Sequence, residues 1–350
     1  MKIVVLGGGI SSERHVSLVT ATSICRGLRE RGHKAVFVDM FLGLEDYEKP
    51  IECLFDEADG HIPEVSIEKT APDIAAVISS RKDKSKSHLG KNVIEICALS
   101  DFVFLGLHGN DGEDGKIQAA LELLGIPYSG SSHLGSAMAM DKSTAKKIML
   151  NAGILTPEYT EIFFNKESIE DIAARLTVPC VIKIVDGGSS IGVSIVDSEE
   201  QLIPALNEIS GFGNHAIAEK KIVGREMTVP VFDGKCLSAI EIVPPDGTYF
   251  DYVSKYQSGN EGAREICPAR ITEDEYAKMS EAALKLHNSL GLSVYSRVDF
   301  ILDENSDAWC LEANTLPGMT PNSLIPKAAR IAGMSYPELC EKIVELSLKK

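Results

Sequence analysis

Apolar residues along this chain recur in two rhythms, and they alternate in a way that predicts a layered α/β fold. Lys2 to Leu6 (KIVVL) is a buried-strand run. The Gly-Gly-Gly-Ile-Ser-Ser-Glu turn follows, then a helical spacing through Val16, Val19, Ile24 and Leu28, and a second strand over Ala35 to Asp39. This β-α-β opening places a glycine-rich turn at a helix N-terminus, where free N–H groups favour an anion. Asp101 to Leu107 reads as another buried strand, followed by the loop His108 to Gly115 and a helix through Ile117, Leu121 and Leu124. A further helix starts at Met140-Asp-Lys, with Asp141 as its cap. Strands Cys180 to Val185 and Val193 to Val196 enclose the turn Asp186 to Gly192. Ala216 to Val223, Met227 to Phe232 and Leu237 to Val243 suggest an antiparallel sheet, Glu273 to Leu290 an amphipathic helix, and Ser323 to Ala332 and Pro337 to Leu348 two closing helices. The polar region from Gly43 to Lys91 shows no clear period and reads as excursions from the sheet.

The most informative stretch is Ser296 to Leu302 and Ala308 to Asn314, two alternating runs around Asp-Glu-Asn-Ser-Asp, a β-hairpin pattern. Residues two apart share a strand face. Arg297, Asp299 and Ile301 therefore point one way, and Cys310, Glu312 and Asn314 are expected on one side of the partner strand. A turn centred on Asn305-Ser306 sets Asp299 opposite Glu312 and Arg297 opposite Asn314. Two carboxylates and an amide oxygen are hard donors that suit Mg²⁺, and the guanidinium sits where negative charge collects during transfer. The plain alternative for Arg297 and Asp299 alone is a solvated salt bridge.

Other candidates carry alternatives of their own. Glu13 lies in the anion-friendly turn and serves equally as a helix-dipole charge. His108 stands at a strand C-terminus among glycines, where open α/β sheets bind ligands, or is a structural hydrogen-bonder. Lys183 in an apolar strand requires a phosphate or carboxylate partner unless its head snorkels to water. The glycines and serines of residues 186–192 can cover phosphates as a flap. Residues 250–268 have the polarity and glycines of an active-site lid, with Lys255 and Tyr256 at its base.

Composition narrows the partners. At 350 residues the chain is long enough for two or three domains, and 44% hydrophobic with 25% charged residues is ordinary for a globular protein. A net charge of −16 argues against nucleic acid or an anionic membrane. The eight cysteines have no Cys-x-x-Cys spacing, so reduced thiols in the cytoplasm are expected. No signal peptide or bilayer-spanning run is visible.

Seven stretches occur in an order that resembles the D-alanine–D-alanine ligase family of ATP-grasp enzymes. They are Gly-Gly-x-Ser-Ser-Glu-Arg-x-Val-Ser (8–17), His-Gly-x-x-Gly-Glu-Asp-Gly (108–115), Met-Asp-Lys (140–142), Gly-Ser-Ser-Ile-Gly (188–192), Asp-Tyr-x-x-Lys-Tyr (251–256), Arg-Val-Asp (297–299) and Leu-Glu-Ala-Asn-Thr-x-Pro-Gly-Met-Thr (311–320). The resemblance covers nearly the whole chain and weakens between about Gly43 and Leu99.

It implies an ATP-grasp fold with an N-terminal Rossmann-like parallel-sheet domain (1–130), a central small domain with the flap (131–218) and a C-terminal domain with lid and metal site (219–350). It implies that ATP phosphorylates one D-alanine and that a second attacks the acyl phosphate, giving a dipeptide for peptidoglycan. Asp299, Glu312 and Asn314 would hold two Mg²⁺, with Mn²⁺ as a substitute. Lys142, Lys183, Ser190 and Lys255 would face phosphates, and Glu219, Lys220, Ile222 and Glu226 the adenine and ribose. Arg297 and the Gly318 N–H would form the oxyanion hole. Glu13 and His108 would meet the first D-alanine, Ser189 and Tyr256 would close with Glu13, and Ser323 and Leu324 would meet the second D-alanine. Tyr256, where D-lactate relatives carry histidine, and Leu324, where D-serine relatives often carry arginine, favour D-alanine as acceptor. A homodimer is the family expectation. Two positions depart from the pattern: Ile184 where proline usually follows the lysine, and Lys221 where many members are apolar. Rival readings are a D-alanine–D-serine or D-alanine–D-lactate ligase, another ATP-grasp carboxylate–amine ligase, and a nucleotide-binding regulatory module without catalysis.

Overall fold

The computed structural model describes residues 1–57, 62–66, 72–188, 191–244 and 263–350. Its N-terminal part is a parallel sheet. Strand β1 (Lys2–Gly7) is central, flanked by β2 (Lys34–Asp39) and β3 (Phe102–Leu105), with helix α1 (Arg14–Glu30) as the first crossover. Ile3, Val4, Val5 and Leu6 are all fully buried. That explains their unbroken apolar run, since a central parallel strand is covered on both faces. Helices α2 (Ile74–Ser80) and α3 (Val93–Ala98) lie in the excursion between β2 and β3. This excursion is anchored by Arg81, whose guanidinium is buried against the Phe41 ring and donates to the carbonyls of Ser87 and Leu89.

The loop after β3 leads to α4 (Lys116–Leu123), α5 (His133–Met140) and α6 (Lys142–Asn151). Asp141 caps α6 as its sequence suggests, accepting from the Thr144 N–H at 2.7 Å. A four-stranded antiparallel sheet follows in the order β4 (Tyr159–Phe163), β7 (His215–Lys220), β5 (Cys180–Ile184), β6 (Val193–Val196). It packs on α7 (Ile169–Arg175) and α8 (Leu202–Ser210). The run from Ala216 therefore ends at Lys220 and belongs to this sheet, between β4 and β5. It does not extend to Val223 or join the strands that follow it in sequence.

The last sheet is antiparallel, with β8 (Arg225–Phe232) paired to β9 (Lys235–Cys236), β10 (Ile240–Val243) and β12 (Tyr295–Leu302). Strand β11 (Arg264–Ile266) extends one edge and β13 (Ala308–Asn314) forms the other. Helix α9 (Glu273–Ser289) covers one face and starts with a reciprocal cap between Thr272 and Glu275. Helices α10 (Leu324–Ile331) and α11 (Tyr336–Ser347) close the described chain, and α11 packs against α1. No helix among the described residues is long and apolar enough to cross a membrane.

The β12–β13 register pairs Arg297 with Asn314 and Asp299 with Glu312, as the hairpin pattern predicts. Beyond that point the ladder shifts, so that Phe300 pairs with Cys310 and Leu311 is the extra residue of a bulge. The bulge overturns one expectation. Cys310 does not share a face with Glu312 and Asn314; it is fully buried with Val298 and Phe300 in the core under α9.

Candidate active site

The hairpin presents its polar face as a set of paired groups. Arg297 forks onto Asp299, with Nε donating to Oδ1 at 2.9 Å and Nη2 to Oδ2 at 2.8 Å. The Asn314 amide nitrogen donates to Asp299 Oδ2 at 2.9 Å, which turns its carbonyl oxygen away from Asp299. Thr228, fully buried on β8 opposite Asp299, donates its hydroxyl to Oδ1 at 2.6 Å. Asp299 is thus held in one orientation by three neighbouring positions. Among the described residues no group of three His, Cys, Asp or Glu side chains is arranged around a common metal position. The hairpin instead offers two carboxylates, Asp299 and Glu312, and the Asn314 carbonyl as oxygen donors. Three hard oxygens fit a Mg²⁺ that keeps waters and takes its other ligands from phosphate.

Helix α6 and the four-stranded sheet bring cations to the same place. Lys142 Nζ lies 3.6 Å from Glu312 Oε2 and donates to the Gly187 carbonyl at 2.6 Å, bridging the hairpin and the root of the flap. Lys183 has the carboxylate partner its apolar strand demands, with Nζ 2.6 Å from Glu219 Oε2. Glu219 Oε1 lies 2.6 Å from Lys146 Nζ. Burial alone would raise the Glu219 carboxyl, but the two ammonium groups hold it below the usual range. Burial likewise opposes charge on Lys183, and the carboxylates of Glu219 and Glu312 outweigh it and raise that lysine. Beyond Glu219, Lys220 is exposed, Ile222 and Glu226 are half-buried, and residues 221–224 cross from one sheet to the other. Lys221, one of the two departures, points to Asp197 at 2.6 Å.

A second group of residues gathers where the parallel sheet meets the hairpin. Glu13 precedes α1 but makes no side-chain cap to it. Its buried carboxylate faces two glycines from different loops. A Cβ on Gly109 would lie 2.9 Å from Oε2, and one on Gly188 2.8 Å. Only glycine permits the His-Gly loop and the flap to come this close. The turn behind Glu13 is fixed by Arg14, which pairs with Asp39 at 2.5 Å and donates to the Gly9 carbonyl at 2.6 Å.

Both ring nitrogens of His108 have protein partners. Nδ1 donates to the Leu316 carbonyl at 2.9 Å, and Nε2 is 3.0 Å from Thr20 Oγ1. Burial lowers its pKa, with Glu13 opposing in part. His108 is therefore a neutral tie between the parallel sheet and the turn after β13. In that turn, a Cβ on Gly318 would stand 3.0 Å from Ser323 Oγ, so Gly318 and Ser323 are neighbours. Ser323 Oγ accepts from the Thr320 N–H at 3.1 Å. Leu324 opens α10 with its side chain buried beside Ile240, Ile242 and Ala328. Ser189, Ser190, Lys255 and Tyr256 lie outside the described residues.

Three residues of this region escape the sequence reading. Glu113 lies within the His108 to Gly115 loop. Its oxygens accept the N–H groups of Gly109 at 2.9 Å and Leu316 at 3.1 Å. Burial and then the Glu13 charge raise its carboxyl to about 8. Lys146 stands one helical turn past Lys142, a spacing that marks a shared face. Thr228 is a lone hydroxyl in the apolar run Met227 to Phe232, and a buried hydroxyl demands a partner.

Residues 2–131 match the family described as D-ala D-ala ligase N-terminus, and residues 148–345 the family described as D-ala D-ala ligase C-terminus. The D-alanine–D-alanine ligase of Pediococcus pentosaceus is 42% identical over 349 residues, covering 98% of this chain and 97% of the relative. That of Halalkalibacterium halodurans is 38% identical, with each chain covered in full. Among solved structures, the D-alanine–D-alanine ligase from Bacillus anthracis complexed with ATP aligns with a TM-score of 0.71 at 30% identity, covering 100% of this chain and 97% of the other. The VanG D-Ala:D-Ser ligase from Enterococcus faecalis aligns at 0.74 and 29%, covering 99% of each.

Proposed function

The chain belongs to the D-alanine–D-alanine ligase family, and from that premise we propose that it joins two D-alanines with ATP as co-substrate. One D-alanine carboxylate takes the γ-phosphoryl group and becomes an acyl phosphate. The amine of the second D-alanine attacks that carbonyl, and phosphate leaves. ADP, phosphate and D-alanyl-D-alanine, a peptidoglycan precursor, are the products.

Phosphoryl transfer depends on position and charge neutralisation more than on a protein nucleophile. Lys142 and Lys183, together with Lys255 and Ser190, are assigned to the phosphates. Glu219, Lys220, Ile222 and Glu226, which lie in and on either side of the crossing between sheets, are assigned to the adenine and ribose. Asp299, Glu312 and Asn314 are the residues that would hold Mg²⁺, or Mn²⁺ in its place. When bound, that ion neutralises charge on the β- and γ-phosphates. Arg297 and the Gly318 N–H are assigned to the oxyanion of the tetrahedral centre. Glu13 receives the ammonium of the first D-alanine beside His108, with Ser189 and Tyr256 completing the closure. Ser323 and Leu324 face the second D-alanine.

The observation that carries this reading is the convergence of Glu13, Lys142 and Glu312 around the root of one flap. Glu13 approaches Gly188 while Lys142 holds Gly187 and reaches Glu312. A substrate ammonium at one end and polyphosphate at the other would then share a single cleft. Tyr256 and Leu324 support D-alanine over D-lactate and D-serine as acceptor. The acidic, reduced-thiol composition supports a cytoplasmic enzyme, and the family resemblance supports a homodimer.

The test is ADP release with D-alanine, L-alanine, D-serine and D-lactate in parallel, with mass detection of the product. D-alanyl-D-alanine as the main product supports the proposal. A mixed product with D-serine or D-lactate as preferred acceptor replaces it, and ADP release independent of any D-amino acid refutes it.

A further inference from the structure

A lysine sealed inside a protein needs a compensating carboxylate, and fold stability alone is served as well by an apolar side chain. Lys146 is 1% exposed. Its Nζ lies 2.6 Å from Glu219 Oε1 and 2.5 Å from Thr156 Oγ1. Thr156 passes its own proton to the Cys310 carbonyl at 2.7 Å, so its lone pairs face Lys146 and the lysine is the donor in both contacts. The other Glu219 oxygen belongs to Lys183 at 2.6 Å. One carboxylate is thus divided between two ammonium groups, one from α6 and one from β5. Burial lowers the Lys146 pKa and the Glu219 carboxylate opposes that; with both lysines protonated the charges of this triad sum to one net positive. The lysine through which it reaches the cleft is Lys183, whose side chain keeps 13% exposure. Glu312 on the hairpin and Glu226 on β8 also act on Lys183, so the added positive charge of Lys146 offsets carboxylates beyond Glu219.

We infer that Lys146 is a positioning residue for nucleotide binding: by taking one oxygen of Glu219 from behind, it keeps Lys183 only partly neutralised and directed at a polyphosphate. Without it, Lys183 and Glu219 collapse to a neutral pair, and the cleft loses a unit of positive charge at the phosphate end. This rests on the assignment of Lys183 to the nucleotide phosphates proposed above. Lys146 itself touches no substrate.

The experiment measures equilibrium affinity of the full chain for ATP with Mg²⁺ and for adenosine, which lacks phosphates. Lys146→Met should weaken ATP binding on the order of tenfold through loss of one nearby charge. Adenosine binding should change by less than about twofold, and Lys146→Arg should restore most of the ATP affinity. Should Lys146→Met not fold, Lys146→Gln keeps hydrogen bonds to Glu219 and Thr156 without the charge and carries the same test. Equal losses for ATP and adenosine, or no loss for either, overturn the inference. Lys183→Met separates the two levels. If Lys183→Met weakens ATP and Lys146→Met does not, this inference alone fails. If neither does, the phosphate assignment fails with it.

Discussion

Glu113 sets a pH dependence of stability that can be worked out in advance. Its carboxyl is raised to about 8 by burial and then by the Glu13 charge, against an ordinary value near 4.3. Between those values the folded chain holds a proton that the unfolded chain has shed. The stabilisation is fully present below the unfolded pKa and is lost as pH rises through about 8. One such group gives a slope of at most about 1.4 kcal/mol per pH unit. From pH 5.5 to 7.5 that bounds the loss near 2.7 kcal/mol. Glu113 is half-buried and its carboxylate would still accept two N–H groups, so we expect about 1–2 kcal/mol. Glu113→Gln cannot shed a proton, and its amide nitrogen opposes one of those N–H donors. The variant should lie about 1–3 kcal/mol below wild type at pH 5.5 but lack the slope, so that its deficit shrinks as pH rises. Urea unfolding of both proteins at pH 5.5, 6.5 and 7.5 reads the difference directly. Parallel curves over that range would refute the assignment of a retained proton to Glu113.

Three further outcomes follow from contacts described above. Glu312→Gln should abolish ADP release while changing the unfolding free energy by no more than about 1 kcal/mol, because its ion pair with Lys142 is long and partly solvated; normal turnover would remove Glu312 from the metal set. Thr228→Val deletes the 2.6 Å hydrogen bond that orients Asp299 and should lower kcat/KM about 10–100-fold, with Thr228→Ser near normal; a metal titration of ADP release checks it, and an unaltered Thr228→Val would show that Asp299 needs no such tie. Gly8→Ala places a Cβ 2.4 Å from Asp39 Oδ2 at a φ of +75° and should cost about 2–4 kcal/mol; an unchanged melting temperature would mean that the Arg14–Asp39 pair is free to move.

The hairpin shows how far sequence periodicity reaches. Its pairs Arg297–Asn314 and Asp299–Glu312 follow from counting outward from the turn, because the residues between them and Asn305-Ser306 balance across the bulge. Cys310 could not be placed the same way. A bulge changes the period locally, and nothing in Ala-Trp-Cys-Leu-Glu distinguishes a bulged run from a regular one. The apolar runs of β1 and β3 and the rhythm of α1 and α9 were legible because burial on a fixed face imposes a fixed spacing. The sheet to which His215–Lys220 belongs was not, since strand partners distant in the chain leave no local mark. The same limit hid Glu113, Lys146 and Thr228. Each matters through a partner far away in sequence: Leu316, Glu219 and Asp299 respectively.

Helix α11 has a consequence for how the protein is made. Leu339, Cys340, Ile343 and Val344 complete the same apolar cluster as Ile3, Ile24 and Leu28. Tyr336 fits so closely over Gly27 that a Cβ there would lie 3.1 Å from its ring, and Arg31 reaches across to Glu341. During synthesis, α1 leaves the ribosome well before α11 and waits for it before its outer face is shielded from water. A chain released before α11 would expose a greasy seam along α1, the kind of surface that chaperones hold and proteases find.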